Sequence, residues 1–178
     1  MARRKTAARR YAEAAFEIGR ADGTLDAWER DLGALRDVLA DPELAAVARH
    51  PGIAYAVKER IIRRAVSGVA DEPLNLVLLM IRRGRPGAVG PTVDRFNELL
   101  RAQRGITLAH VRTALPLEDR EREALTDRLR QMTNNTIEMN EVVDESLIGG
   151  IAVRIGDQLY DASVRSRLER LRARLTAV

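Results

Sequence analysis

Residues 105–116 read GITLAHVRTALP, and the spacing of the apolar residues changes inside this stretch. Before Gly105 they recur every three or four positions, as on one face of a helix. After it, Ala109, Val111 and Thr113 fall on alternate positions, so Ile106 to Ala114 is expected to form a strand that Pro116 ends. The switch places a domain boundary near residue 105. An all-α six-helix bundle is expected over 1–105 and a small α+β domain over 106–178.

Toward the N-terminus, helix one is expected over Lys5 to Arg20, stopped by Asp22 and Gly23. Helix two carries Leu25, Trp28, Leu32, Leu35 and Leu39 on one stripe. Asp41 and Pro42 open a short third helix with Leu44 and Val47 inward, and Pro51 and Gly52 break it. A fourth helix sets Val57, Ile61, Ala65 and Val69 in line, and Asp71 caps a fifth over Glu72 to Arg83. The Gly- and Pro-rich stretch Arg82 to Pro91 reads as a loop or a weak helix start. A sixth helix then aligns Val93, Phe96 and Leu100.

Toward the C-terminus, Glu118 to Met132 reads as a helix with Leu125, Leu129 and Met132 on one face. Ile137, Met139 and Val143 suggest a second strand, and Ile151, Val153 and Ile155 a third. Gly156 and Asp157 signal a two-residue hairpin into Gln158–Tyr160. Asp161 is expected to cap a last helix carrying Val164, Leu168, Leu171 and Leu175, backed by Arg165, Arg167, Arg170, Arg172 and Arg174.

The 178 residues hold no cysteine and two histidines, which excludes thiol chemistry, disulfides and Cys- or His-rich metal sites. Thirty cations against 26 anions give a net charge of +4. Residues 1–105 carry +5, the segment Pro116 to Asp161 carries −6, and Met1 to Arg10 holds five cations and no acid. Such blocks suit partners of differing sign better than one nucleic-acid stripe. No apolar run is long enough to span a bilayer, and the N-terminus lacks a secretory core or a processing spacer.

No P-loop, dinucleotide fingerprint, GxSxG or HExxH occurs. Asp157 and Asp161 read as turn and cap, His110 as a surface histidine, and Trp28 as core. No catalytic, metal or cofactor site is expected. Helix one stands out as a wheel: Ala14, Ala7, Ile18, Tyr11, Ala15, Ala8, Ala12 and Phe16 sweep about 200°, where a bundle helix needs only about 100°. Helix five is apolar from Leu74 to Ile81 except at Asn75. Together they suggest a groove that takes a partner's amphipathic helix. A third candidate docking face is the arginine-backed terminal helix. The alternative reading is a nucleic-acid-binding regulator using the basic N-terminus, which predicts steeply salt-dependent binding.

Residues 137–156, IEMNEVVDESLIGGIAVRIG, together with DASVRSRLERL at 161–171, resemble the signature of the delta subunit of F-type ATP synthase, whose mitochondrial counterpart is the oligomycin-sensitivity-conferral protein. ARRYAEAAF at 8–16, the asparagine-led run ending at Gly84 and Arg85, and VRTALPL at 111–117 extend the resemblance in order along nearly the whole chain. It implies a non-catalytic stator subunit without cofactors, linking the alpha/beta hexamer to the peripheral stalk in proton-driven ATP synthesis. The N-terminal domain is then expected to bind the N-terminal helix of an alpha subunit, and the C-terminal domain the b subunits. No nucleic acid is expected, and membrane contact only through the complex, on the cytoplasmic face of a bacterial inner membrane. By position, Tyr11, Ala14 and Ile18 with Val77, Met80 and Ile81 become the alpha-contacting set. Gly149, Gly150, Asp161, Ser163, Arg165 and Leu168 match the signature and are expected mainly to determine the fold. The family usually has glycine where Ala162 and Ser166 stand, and serine where Glu118 stands.

Overall fold

A computed structural model describes residues 2–176, with side chains from 6 to 173. The expectations that fall on the side chains of Met1–Lys5, Arg174 and Leu175 lie outside the described residues. The chain divides into two compact units, residues 1–100 and 101–178.

The first unit is helical: α1 (Ala2–Ala21), α2 (Leu25–Ala40), α3 (Pro42–Arg49), α4 (Tyr55–Ala65), α5 (Asp71–Arg82) and α6 (Val89–Gln103, which runs past the unit's end). Its core gathers on three rings. Phe96 is fully buried, with Phe16 edge-on at 6.1 Å and Trp28 stacked at 6.4 Å between centroids. Leu32, Leu35, Ile62, Val77, Leu78, Met80, Val93 and Leu100 complete it. The helix-two stripe holds at Trp28, Leu32 and Leu35, and the helix-six face at Val93, Phe96 and Leu100. Gly19 lets α1 approach α2 closely, since a Cβ there would lie 2.9 Å from Trp28 Cδ1.

Four local expectations change. In α3 the buried residues are Ala45 and Ala48, with Leu44 and Val47 half-buried, because the small side chains lie at the line of closest approach. In α4 the inward positions are Lys58 and Ile62, one residue along from the expected stripe; Val57 and Ala65 are exposed, and the helix stops before Val69. Lysine counts as polar by type, but its stem buries here while Nζ donates to the Ala48 carbonyl at 3.1 Å. Asp71 does not cap α5. It occupies the first turn, and the Ala70 N–H that precedes the helix donates instead to Oδ2 of buried Asp31 on α2, at 2.9 Å. Finally, Pro86–Ala88 form a 3₁₀ turn that runs directly into α6. Gly90 and Pro91 lie inside the first turn of α6, where proline's missing N–H costs nothing.

The second unit is a four-stranded sheet with two helices: β1 (Ile106–Thr113), α7 (Asp119–Thr133), β2 (Thr136–Val143), β3 (Ile151–Ile155), β4 (Gln158–Asp161) and α8 (Val164–Thr176). The order is β2-β1-β3-β4. β1 and β2 run parallel, with Ile106 opposite Thr136, which requires the α7 crossover; β3 pairs antiparallel with β1 and with β4. Ala109, Val111 and Thr113 are buried on one face of β1, as their alternation requires. Ala109, Val111 and Val153 pack with Leu129 of α7, and Leu125 lies against the cluster. Met132 and Val143, expected inward, are exposed, because this single-layer core reaches neither the end of α7 nor the end of β2.

Glu141 ties β2 to the entrance of α7. Its Oε1 accepts the Leu117 N–H at 2.8 Å and its Oε2 accepts Arg122 Nη2 at 3.0 Å. The Leu117 bond first, then Arg122, holds its carboxyl below the usual carboxylate range. A depressed folded pKa means stability that is present above the unfolded value of about 4.3 and lost as pH falls through the folded value. Glu141→Gln is therefore expected to flatten the acid limb of thermal stability between about pH 5 and pH 3. Superimposable acid limbs for wild type and variant would refute this.

Candidate functional site

α1 buries the half of its wheel formed by Ala7, Ala8, Ala12, Ala15 and Phe16. At the edge of that arc Tyr11 is half-buried, while Ala14 is exposed and Ile18 is 46% exposed. Spacings of three and four residues align these three as a strip along one side of the helix. Of the charged remainder, Arg9 pairs with Glu13 and Arg20 with Glu17 within the helix. Ala14 and Ile18 are thus the open part of the surplus apolar arc.

α5 behaves differently. Val77 and Met80 have no exposed surface and Ile81 retains 3%. These three expected partner contacts are core residues, which corrects their assignment. α5 is the central helix of the unit, so its best apolar positions are spent inside. What it leaves outside is half-buried Leu76 and Leu79, 40% exposed. Ile81→Asp would therefore bury a charge rather than probe a surface.

In the second unit the LIGG turn holds the start of α8. Gly150 has φ +78°, and a Cβ there would meet the Ala162 carbonyl oxygen at 2.7 Å. Gly149 accepts the Val164 N–H through its carbonyl at 2.9 Å. Asp161 does not cap the helix directly; its Oδ1 accepts the Ser163 N–H at 2.9 Å, and buried Ser163 takes the cap, its Oγ accepting the Ser166 N–H at 3.2 Å. Gly149, Gly150, Asp161 and Ser163 thus shape the turn. Arg165 and Leu168 do not share that role: Arg165 pairs with Glu169 at the surface and Leu168 is 52% exposed.

Val164, Leu168 and Leu171 form an apolar stripe that α8 turns to solvent. Arg165, Arg167, Arg170 and Arg172 flank it on an exposed helix. Basic flanks around an apolar stripe suit an acidic amphipathic partner. Few aromatic rings are open to nucleic-acid bases: Trp28, Phe16 and Phe96 are in the core, Tyr55 lies under Arg82 at 5.6 Å, Tyr11 is half-buried, and Tyr160 is 42% exposed.

The family model described as ATP synthase delta (OSCP) subunit matches residues 7–175. The chain belongs to the ATP synthase delta (OSCP) subunit family. A relative from Anoxybacillus flavithermus, named ATP synthase subunit delta, is 34% identical over 175 residues, covering 97% of this chain and 98% of its own. Another of that name from Salinibacter ruber is 37% identical over 173 residues, covering 96% and 91%. Among solved structures, a chain of the Toxoplasma gondii mitochondrial ATP synthase hexamer matches with a TM-score of 0.74 at 21% identity, over 96% of this chain and 98% of that one, and so shares the fold. As a delta-family member the chain is a stator component of ATP synthase, structural rather than catalytic. It is peripheral to the membrane, and among the described residues no helix is long and apolar enough to cross one.

Reading the sequence by residue type missed Leu76 and Leu79 as the exposed part of α5. A wheel centred on the buried arc finds them, because they lie opposite Leu74, Val77 and Ile81.

Proposed function

We propose that the first unit holds the N-terminal amphipathic helix of an alpha subunit, and the second unit the b-type subunits of the peripheral stalk, on the cytoplasmic face of a bacterial inner membrane. The observation that carries the first part is the open strip Tyr11, Ala14 and Ile18 along the edge of the buried face of α1. Leu76 and Leu79 take the place of Val77, Met80 and Ile81 as the α5 contribution. The b-type contact rests on the apolar stripe and arginines of α8.

The mechanism is mechanical. A stator joint carries torque without chemistry, so it must stay bound under load and should bury apolar surface along the whole length of a partner helix. A standard interface of roughly 1,500 Å² is within reach of such a contact. At about 25 cal/mol per Å² of apolar area, the gross gain far exceeds a single surface ion pair, although association costs recover a large share. The expected result is capture of ATPase alpha, beta and b subunits when the tagged chain is incubated with stripped ATP synthase particles. Residues 1–100 alone should retain alpha and lose b. Retention of b by that unit alone, or failure to bind alpha, would reject this division of labour.

A further inference from the structure

The turn after α5, so rich in glycine and proline, walls a cavity of about 610 Å³. Ala7 of α1, the end of α3 and Lys58 of α4 line it too. Among the described residues its charged lining is Arg49, Lys58 and Arg85, with no Asp or Glu. The sequence offers no acid before Glu13 that could neutralise the α1 side.

Lys58 is the informative member. It is only 9% exposed, and lysines are almost never buried without a partner. Its ammonium carries three donors. One goes to the Ala48 carbonyl at 3.1 Å, and no carboxylate pairs with it among the described residues. Arg49 and Arg85 are exposed and likewise stand in no ion pair among the described residues. Three like charges sharing one cavity repel one another, so an anion bound among them would relieve that repulsion.

The ligand class follows from charge and size. A neutral molecule would leave the cations uncompensated, and one carboxylate would offset one of three. Guanidinium forks match phosphate oxygens two at a time. We infer that this cavity is a binding site for a multiply charged phosphate-class anion, with Lys58 at its wall and Arg49 and Arg85 as the guanidinium contacts. None of Tyr11, Ala14 and Ile18 lines this cavity.

The test is calorimetric titration of the full chain with pyrophosphate at low ionic strength. Saturable binding is expected, with Lys58→Met weakening it at least tenfold. Because Lys58 is buried, the exposed pair Arg49→Ala with Arg85→Ala provides an independent check. That double variant, confirmed folded by circular dichroism, should also lose at least tenfold. Arg10→Ala, which lies outside the cavity lining, should bind as wild type. ADP matching pyrophosphate would assign a nucleotide source, and weaker ADP binding the free anion; either keeps the site. The inference is overturned by no saturable binding, by unchanged affinity in the folded double variant, by an equal loss in Arg10→Ala, or by glutarate binding as tightly as pyrophosphate.

Discussion

Ile18→Asp is expected to leave the helical unit folded and to weaken capture of an alpha-subunit N-terminal peptide by about 100-fold, roughly 2.7 kcal/mol. The side chain is 46% exposed, so the new carboxylate stays solvated in the free protein and costs the fold little. In a complex it would have to desolvate against an apolar partner face, where an unpaired charge is expensive. Buried apolar anchors also carry a disproportionate part of interface energy. Tyr11→Asp should act in the same direction with some loss of stability, because Tyr11 is half-buried against the core. Val57→Asp is the control. It also replaces an exposed apolar residue, 41% exposed on α4, and should bind the peptide normally. Peptide titration of the three folded variants decides the matter. Equal affinity for Ile18→Asp and wild type would remove the α1 strip from the interface.

Gly150→Ala should destabilise the second unit by about 3 kcal/mol, one of the largest effects available from a single methyl group. A left-handed backbone at φ +78° costs an alanine roughly 1–2 kcal/mol. The added Cβ would also sit 2.7 Å from the Ala162 carbonyl oxygen and 3.2 Å from Ser163 Cα. These are backbone atoms that cannot rotate away, so overpacking adds roughly 1–3 kcal/mol more. The displaced segment is the one that seats the Ser163 cap, so α8 should fray together with the turn. Thermal denaturation followed on residues 101–178 should show the loss, while residues 1–100 keep their midpoint. A second-unit midpoint within a degree of wild type would show that the turn tolerates the methyl.

Much of this was legible from residue patterns. The change of period at Gly105 separated helices from sheet, because buried faces impose 3.6 and 2 as repeats whatever packs against them. The alternation of Ala109, Val111 and Thr113 named the buried face of β1 correctly. The apolar arc of α1 is wider than one core can use, and Tyr11, Ala14 and Ile18, the part of it that the family resemblance singles out, lie at or beyond the edge of the core. The failures have a common cause. α5 reads as hydrophobic all round, and pattern alone cannot tell which of its apolar residues are inside; the family resemblance implies Val77, Met80 and Ile81 as partner contacts, and all three are buried. The stripe Val57, Ile61, Ala65 and Val69 misses the inward face of α4 by one residue, because the end of α3 supplies the Ala48 carbonyl that lets Lys58 turn inward. Both depend on what lies opposite, and sequence spacing carries no information about that.

By itself, then, the order of residues determined the elements, the place where helices give way to strands, and the apolar excess on α1, since these follow from local periodicity and turn chemistry. Only the tertiary structure decided that β1 and β2 run parallel, that α5 is spent on the core, and that three cations from separate segments line one cavity. Each of those requires distant segments to meet, and their meeting is set by how faces pack in three dimensions.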